Sequence, residues 1–163
     1  MRVGLCLLLA AIMVFSLSSA LSEDGVPSVS FLSYTLAVTG IQDSPNYIQG
    51  NPEPVDKRFV VITFTSTQQA ISLFDIADNV ALFSLEDSQG QSYEGMAYFP
   101  HSMLFLFGPG VFSAAQMQAA FDMLFIIPNS LPLSDLYLLV RQNTGGFPYE
   151  VPAADIALIP DRF

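Results

Sequence analysis

Short apolar runs, almost all of them stopped by proline or glycine, are what most constrain the fold of this chain. Met103-Leu104-Phe105-Leu106-Phe107 ends at Gly108-Pro109-Gly110, and Phe121-Asp122-Met123-Leu124-Phe125-Ile126-Ile127 ends at Pro128. Phe59-Val60-Val61-Ile62-Thr63-Phe64-Thr65 is β-branched and aromatic throughout, the composition of a pleated strand, and its apolar groups on both faces place it centrally in a sheet. Past the amino-terminal region no apolar run is long enough to cross a bilayer as a helix.

Other segments repeat the pattern. Over Val29 to Thr39, Leu32, Tyr34, Leu36 and Val38 alternate with Ser33, Thr35, Ala37 and Thr39, which predicts one strand of period two. Ile71–Phe74 reads as a brief edge piece. Ala81–Leu85 runs into Glu86-Asp87-Ser88-Gln89-Gly90 and returns at Tyr93, a hairpin signature. Leu136–Val140 reads as the partner of Phe121–Ile127, and Ile156–Ile159 as a short last strand. Residues 113–120, rich in Ala and Gln, are the one stretch of helix-favouring composition. Gly40–Asp56 reads as a long loop rich in Pro, Asn, Gln and Gly. The pattern predicts an all-β fold, an immunoglobulin-like β-sandwich of about seven to nine antiparallel strands with at most one short helix near 113–120.

The amino terminus reads as a secretory leader. Arg2 precedes an unbroken apolar run from Val3 to Leu17, and Ser18 and Ala20 have the spacing a signal peptidase recognises. The run is about 15 residues, short of the ~20 that a spanning helix needs. The expected organisation is a signal peptide over 1–20, a linker over 21–28 and a single sandwich domain over 29–163. The expected location is extracytoplasmic, in the periplasm, at the cell surface or secreted, with no membrane span in the mature chain unless the leader is kept. Cys6, the sole cysteine, lies inside the leader. The mature domain therefore holds together without disulfides and has no thiol nucleophile, zinc–thiolate site or blue-copper site.

The mature chain carries four basic residues, Lys57, Arg58, Arg141 and Arg162, against fifteen acidic ones. This balance opposes nucleic acid and anionic lipid surfaces. The acids are scattered, which suits solubility in an apolar chain.

One set of segments resembles a known family. It consists of Lys57-Arg58-Phe59-Val60-Val61-Ile62-Thr63-Phe64, then Leu85-Glu86-Asp87-Ser88-Gln89-Gly90-Gln91-Ser92-Tyr93, then Phe121–Pro128 before Leu136-Tyr137-Leu138. Together these resemble the telokin-like, immunoglobulin-type domains of secreted bacterial proteins related to an immunoprotective extracellular antigen. The likeness extends over about residues 30–159. Where the family more often shows a Lys-Asn pair, this chain has Thr65-Ser66-Thr67. The resemblance implies a fold and an exported location, and it brings no catalytic residues.

The inventory for chemistry is sparse. His101 is the one histidine, and no Gly-x-Ser-x-Gly elbow or Gly-rich phosphate loop is present, so an enzyme is not expected. His101 and Met103 form a His-x-Met pair suited to copper, which would ordinarily need a second histidine. Asp75, Asp78 and Asn79, and Glu86 with Asp87, are the best oxygen clusters for calcium, but they lack the spacing of a dedicated loop. Turn and cap chemistry accounts for both. Glu86 and Asp87, adjacent on a strand, point to opposite faces and make a poor acid–base pair. No cofactor is expected. The remaining feature is the apolar second face of the two late strands, Met103, Phe105, Phe107, Leu124 and Ile126: either loops cover it, or it is a surface for a protein partner or for self-association. Gly40–Asp56 and strand addition at a sheet edge are further contact routes. The expected function is an exported, non-enzymatic interaction module; the alternative is envelope handling of copper or calcium.

Overall fold

Strand-forming composition and proline punctuation produce two packed sheets. The structure, a computed structural model, describes residues 20–21, 25–43, 47–48, 51–52, 56–100, 117–142 and 145–160. The elements are β1 (Ala20–Leu21), β2 (Pro27–Phe31), β3 (Tyr34–Asp43), β4 (Tyr47–Ile48), β5 (Asn51–Pro52), β6 (Lys57–Ser66), β7 (Ile71–Ser72), α1 (Leu73–Ala77), β8 (Phe83–Asp87), β9 (Ser92–Glu94), β10 (Ala97–Pro100), β11 (Met117–Gln118), β12 (Ala120–Pro128), β13 (Leu136–Val140) and β14 (Tyr149–Pro152). One sheet has the order β1-β2-β3-β6-β12-β10 and the other β14-β13-β8-β9; β7 with β11 and β4 with β5 make two-stranded ribbons. The strand pairs are antiparallel. The fold is an all-β sandwich.

The core lies between the sheets. Val60, Ile62 and Phe64 of β6 and Phe121, Met123, Phe125 and Ile127 of β12 face Phe83 and Leu85 of β8 and Leu136, Leu138 and Val140 of β13. Phe83 stands between the layers, with ring centroids 4.8 Å from Phe31, 5.3 Å from Phe64 and 6.0 Å from Phe121. As expected, β6 is central, flanked by β3 and β12. The Glu86-to-Tyr93 hairpin also forms, as β8 and β9, with Gly90 at φ 80° in its turn.

Other expectations are corrected. Residues 29–39 are not one strand: a two-residue turn at Leu32-Ser33 folds them into the β2–β3 hairpin, and Leu32 takes φ 51°. The short helix is α1, following directly on β7, whereas Met117–Gln118 is extended and pairs with Ser72 and Ile71. β13 is not the partner of β12. The Pro128–Asp135 connection carries the chain to the other layer, where β13 pairs with β8 and β14. β14 adds a strand that was not expected, in a segment flanked by Gly145-Gly146 and Pro148. Gly40–Asp43 belongs to β3, so the long loop begins later than expected, and Pro27 and Ser28 already pair within the sheet. Strands exceed the expected number because several are two-residue pieces. Ile156–Ile159 closes the chain as a parallel strap rather than a full strand. β2 pairs with β3 only as far as Ser28↔Ala37, and beyond that the Ile41 N–H donates to Ala157 O and the Ile159 N–H to Ile41 O, both at 2.9 Å.

One cation ties the strand ends. Arg58 is buried; its Nε donates to Asp43 Oδ1 at 2.6 Å, one terminal nitrogen to the carbonyls of Pro128 (3.1 Å) and Asn129 (3.0 Å), and the other to Leu131 O at 2.8 Å. The guanidinium fork has enough donors to satisfy all four acceptors, which makes its burial tolerable. Among the described residues no helix is long and apolar enough to cross a membrane.

Candidate interaction surfaces

Alternation along β12 turns Phe121, Met123, Phe125 and Ile127 toward the core and leaves Asp122, Leu124 and Ile126 on the opposite face. Cover or an open patch were the two expectations for that face, and over the described residues most of it is covered. Phe59, Val61 and Thr63 of β6, Gln42 of β3 and Asp122 are buried, and Leu124 is 6 % exposed. The Asp122 carboxylate accepts the Thr63 hydroxyl at 2.6 Å. Leu124 is thus covered, and of the two β12 residues Ile126 alone reaches solvent in part. His101, Met103, Phe105 and Phe107 lie outside the described residues.

Ile126 lines a groove of about 490 Å³ with Lys57, Glu94 and Met96. Its geometry comes from a crossing between layers. The Gly95 N–H donates to Phe83 O and the Met96 N–H to Leu124 O, both at 2.9 Å, so the chain steps from β9 in one sheet to β10 in the other. A Cβ on Gly95 would lie 2.9 Å from Met123 Sδ, so a larger residue at this crossing would have to displace the buried Met123 side chain. The step leaves Met96 62 % exposed beside Ile126, with Lys57 and Glu94 supplying opposite charges.

A second groove, of about 520 Å³, lies on the outer face of the four-stranded sheet. The register Glu86↔Tyr137 and Ser84↔Leu139↔Glu150 sets its rows, and Arg141 follows on β13's course, its N–H donating to Leu82 O at 2.8 Å. The Arg141 guanidinium donates to Ser84 Oγ at 3.0 Å. The one ion pair among the described residues is Arg58–Asp43, so none of their carboxylates lies within 4.0 Å of Arg141, although Glu86 and Glu150 line the same groove. Arg141, Tyr137 and Glu150 were not singled out in the sequence. The i, i+2, i+4 spacing of Tyr137, Leu139 and Arg141 was the available signal, but using it required knowing which face of β13 is outward.

The oxygen clusters serve turns and caps. Asp87 Oδ1 accepts the N–H groups of Gln89 and Gln91 at 2.9 Å, and Oδ2 accepts the Tyr93 hydroxyl at 3.2 Å. The Gln91 N–H, with the Gln89 N–H and the Tyr93 hydroxyl, holds the Asp87 carboxyl below its usual range against a smaller opposing effect of desolvation. Burial, with the Asp87 carboxylate, pushes the Tyr93 hydroxyl up. Asp75 Oδ2 accepts the Tyr34 hydroxyl at 2.6 Å, and this hydrogen bond, aided by burial, raises Tyr34 as well. Asn79 Nδ2 donates to Asp75 O at 2.8 Å across the end of α1. Among the described residues no three His, Cys, Asp or Glu side chains gather to hold a metal ion.

No protein-family model and no curated protein sequence matches the chain. A solved structure of an uncharacterized β-sandwich protein from Clostridium difficile 630 is similar in fold, with a TM-score of 0.51 at 12 % identity over 76 % of this chain and 89 % of that one. At that identity the likeness establishes the sandwich and nothing further.

Proposed function

We propose that the mature domain is an exported, non-enzymatic module that binds a protein partner through the groove at Met96 and Ile126. The carrying observation is the composition of that groove: an exposed methionine and a half-buried isoleucine flanked by Lys57 and Glu94. An apolar centre with charges at its margin is the usual anatomy of a protein contact, and methionine adapts to irregular partner surfaces. The leader at 1–20 supports export, and the absence of a paired nucleophile and base in the sequence supports a binding role. The immunoglobulin-type, telokin-like reading adds to this. Its segments map onto β6 and β12, interior strands of one sheet, and onto β13, β8 and the edge strand β9 of the other.

The test is a photo-crosslinking residue at Met96 in the full chain, expressed with its leader, alongside Ile126→Glu in the same background. A discrete cross-linked species, whether a second protein or a dimer of this chain, that disappears with Ile126→Glu is the expected result. A chain that cross-links to nothing and sediments as a monomer at all concentrations overturns the reading.

A further inference from the structure

We propose that the groove on the outer face of the four-stranded sheet is a binding site for the carboxy-terminal end of a short basic peptide, with Arg141 taking the free carboxylate and Glu150 and Glu86 taking a cation placed upstream. It shares no residue with the groove at Met96.

Four charged side chains line this groove, Arg141, Glu86, Glu150 and Asp87, and among the described residues none forms an ion pair; the Asp87 carboxylate is taken up by the N–H groups of its own turn and the Tyr93 hydroxyl. Arg141 gives a hydrogen bond to the hydroxyl of Ser84, a fully buried neutral residue, and makes no ion pair among the described residues. A guanidinium carries five N–H donors in a fork matched to a carboxylate, so most of its capacity remains for a ligand. Ser84 fixes the fork from below, so little side-chain order has to be bought on binding. Glu86 and Glu150, each half-buried, line the same groove on either side of β13.

The spacing selects the ligand. Glu150 is level with Leu139, two residues before Arg141, and Glu86 is level with Tyr137, four residues before it. At about 3.3 Å per residue these offsets are roughly 7 Å and 13 Å along the strand. An extended peptide has nearly the same rise, so a carboxylate at Arg141 sets a cation two residues earlier beside Glu150 and one four residues earlier beside Glu86. Tyr137 and Leu139 floor the interval. A lone anion would meet two unscreened carboxylates and a lone cation would meet Arg141; only a ligand with both charges in this order is complementary throughout.

The test titrates the ¹⁵N-labelled mature chain with acetyl-Lys-Ala-Ala bearing a free carboxy terminus, with its carboxy-terminal amide, and with acetyl-Glu-Ala-Ala. The expected result is saturable movement of the Ser84, Leu139 and Arg141 amides with the first peptide. Affinity should fall about tenfold for the amide, for the Glu peptide, and for Arg141→Gln titrated with the first peptide. Glu150→Gln should weaken the Lys peptide and leave the Glu peptide unchanged. Absence of movement at these amides with millimolar peptide overturns the proposal, as do equal affinities for the acid and the amide. Equal affinity for the Lys and Glu peptides reduces the site to nonspecific anion contact and also overturns it. The amide comparison uses the unmodified domain, so a failure of Arg141→Gln to fold leaves the test intact.

Discussion

Leu32 occupies a conformation its side chain resists. It is the first residue of the two-residue turn between β2 and β3, at φ 51° and 46 % exposed. A left-handed backbone costs an L-residue with a Cβ about 1–2 kcal/mol, and tight hairpins place glycine at such positions. Leu32→Gly should therefore raise stability by about 1 kcal/mol, or roughly 3 °C in melting temperature; a lower melting temperature would mean the leucine packs in a way its exposure does not suggest. Asp87 makes the opposite kind of contribution, since its side chain suits its turn. Its folded carboxyl is held below the ordinary value by the N–H groups of Gln91 and Gln89. A depressed folded value stabilises above the unfolded one, near ~3.9, and the contribution is lost as pH falls through the folded value. Asp87→Asn removes the titration while keeping an acceptor. The native chain should melt above this variant at neutral pH, and the gap should close as pH drops below about 4. A gap that stays constant across that range would show that the carboxylate charge is irrelevant to the turn.

Elements were legible where composition and periodicity agreed. β6, the β8–β9 hairpin and β12 could be read from β-branched runs and from an Asp-x-x-Gly turn. The β2–β3 turn could not, because Leu32 and Ser33 carry no turn chemistry and the alternation runs through them unbroken. β13 was readable as a strand but not in its partner, since pairing across layers depends on the Pro128–Asp135 crossing and leaves no local mark. For the same reason Ile126 could be chosen from sequence, whereas Arg141 and Glu150 become neighbours only through the register of β13 with β14. The strap has a similar origin: its seat is Gly40, next to a register shift in β3, where an added Cβ would lie 2.8 Å from Ile159 Cδ1 and 2.9 Å from Ile159 Cγ2. Both branches of the isoleucine would have to move. Gly40→Val should lift the strap and speed amide exchange at Ile41 and Ile159, leaving the β6–β12 amides protected. Unchanged exchange at Ile41 would mean that the strap is held by something other than this contact.

Across the whole molecule, two sheets of unequal cover share one core, and with a single cysteine the chain has no internal disulfide. The six-stranded sheet is buried on both faces at Val61 and Thr63, while the four-stranded sheet keeps its outer groove open. Cohesion between the layers therefore rests on the core, and there on Phe83, whose ring touches three phenylalanines of the opposite sheet. Phe64 and Phe121 stack at 5.0 Å within their own sheet and do not depend on it. Phe83→Ala would remove the ring that joins the layers and leave a cavity among three aromatic neighbours. Such deletions cost about 3–5 kcal/mol, a large share of the ~5–15 kcal/mol that holds a typical domain. Urea unfolding should show the stability falling by that amount through a lower midpoint at an unchanged slope, because the sheets unfold as one cooperative unit. A reduced slope, or a second transition, would show instead that the six-stranded sheet survives after the four-stranded sheet has separated. In that case its doubly buried centre, and not the aromatic contact between layers, would be the seat of the fold's stability.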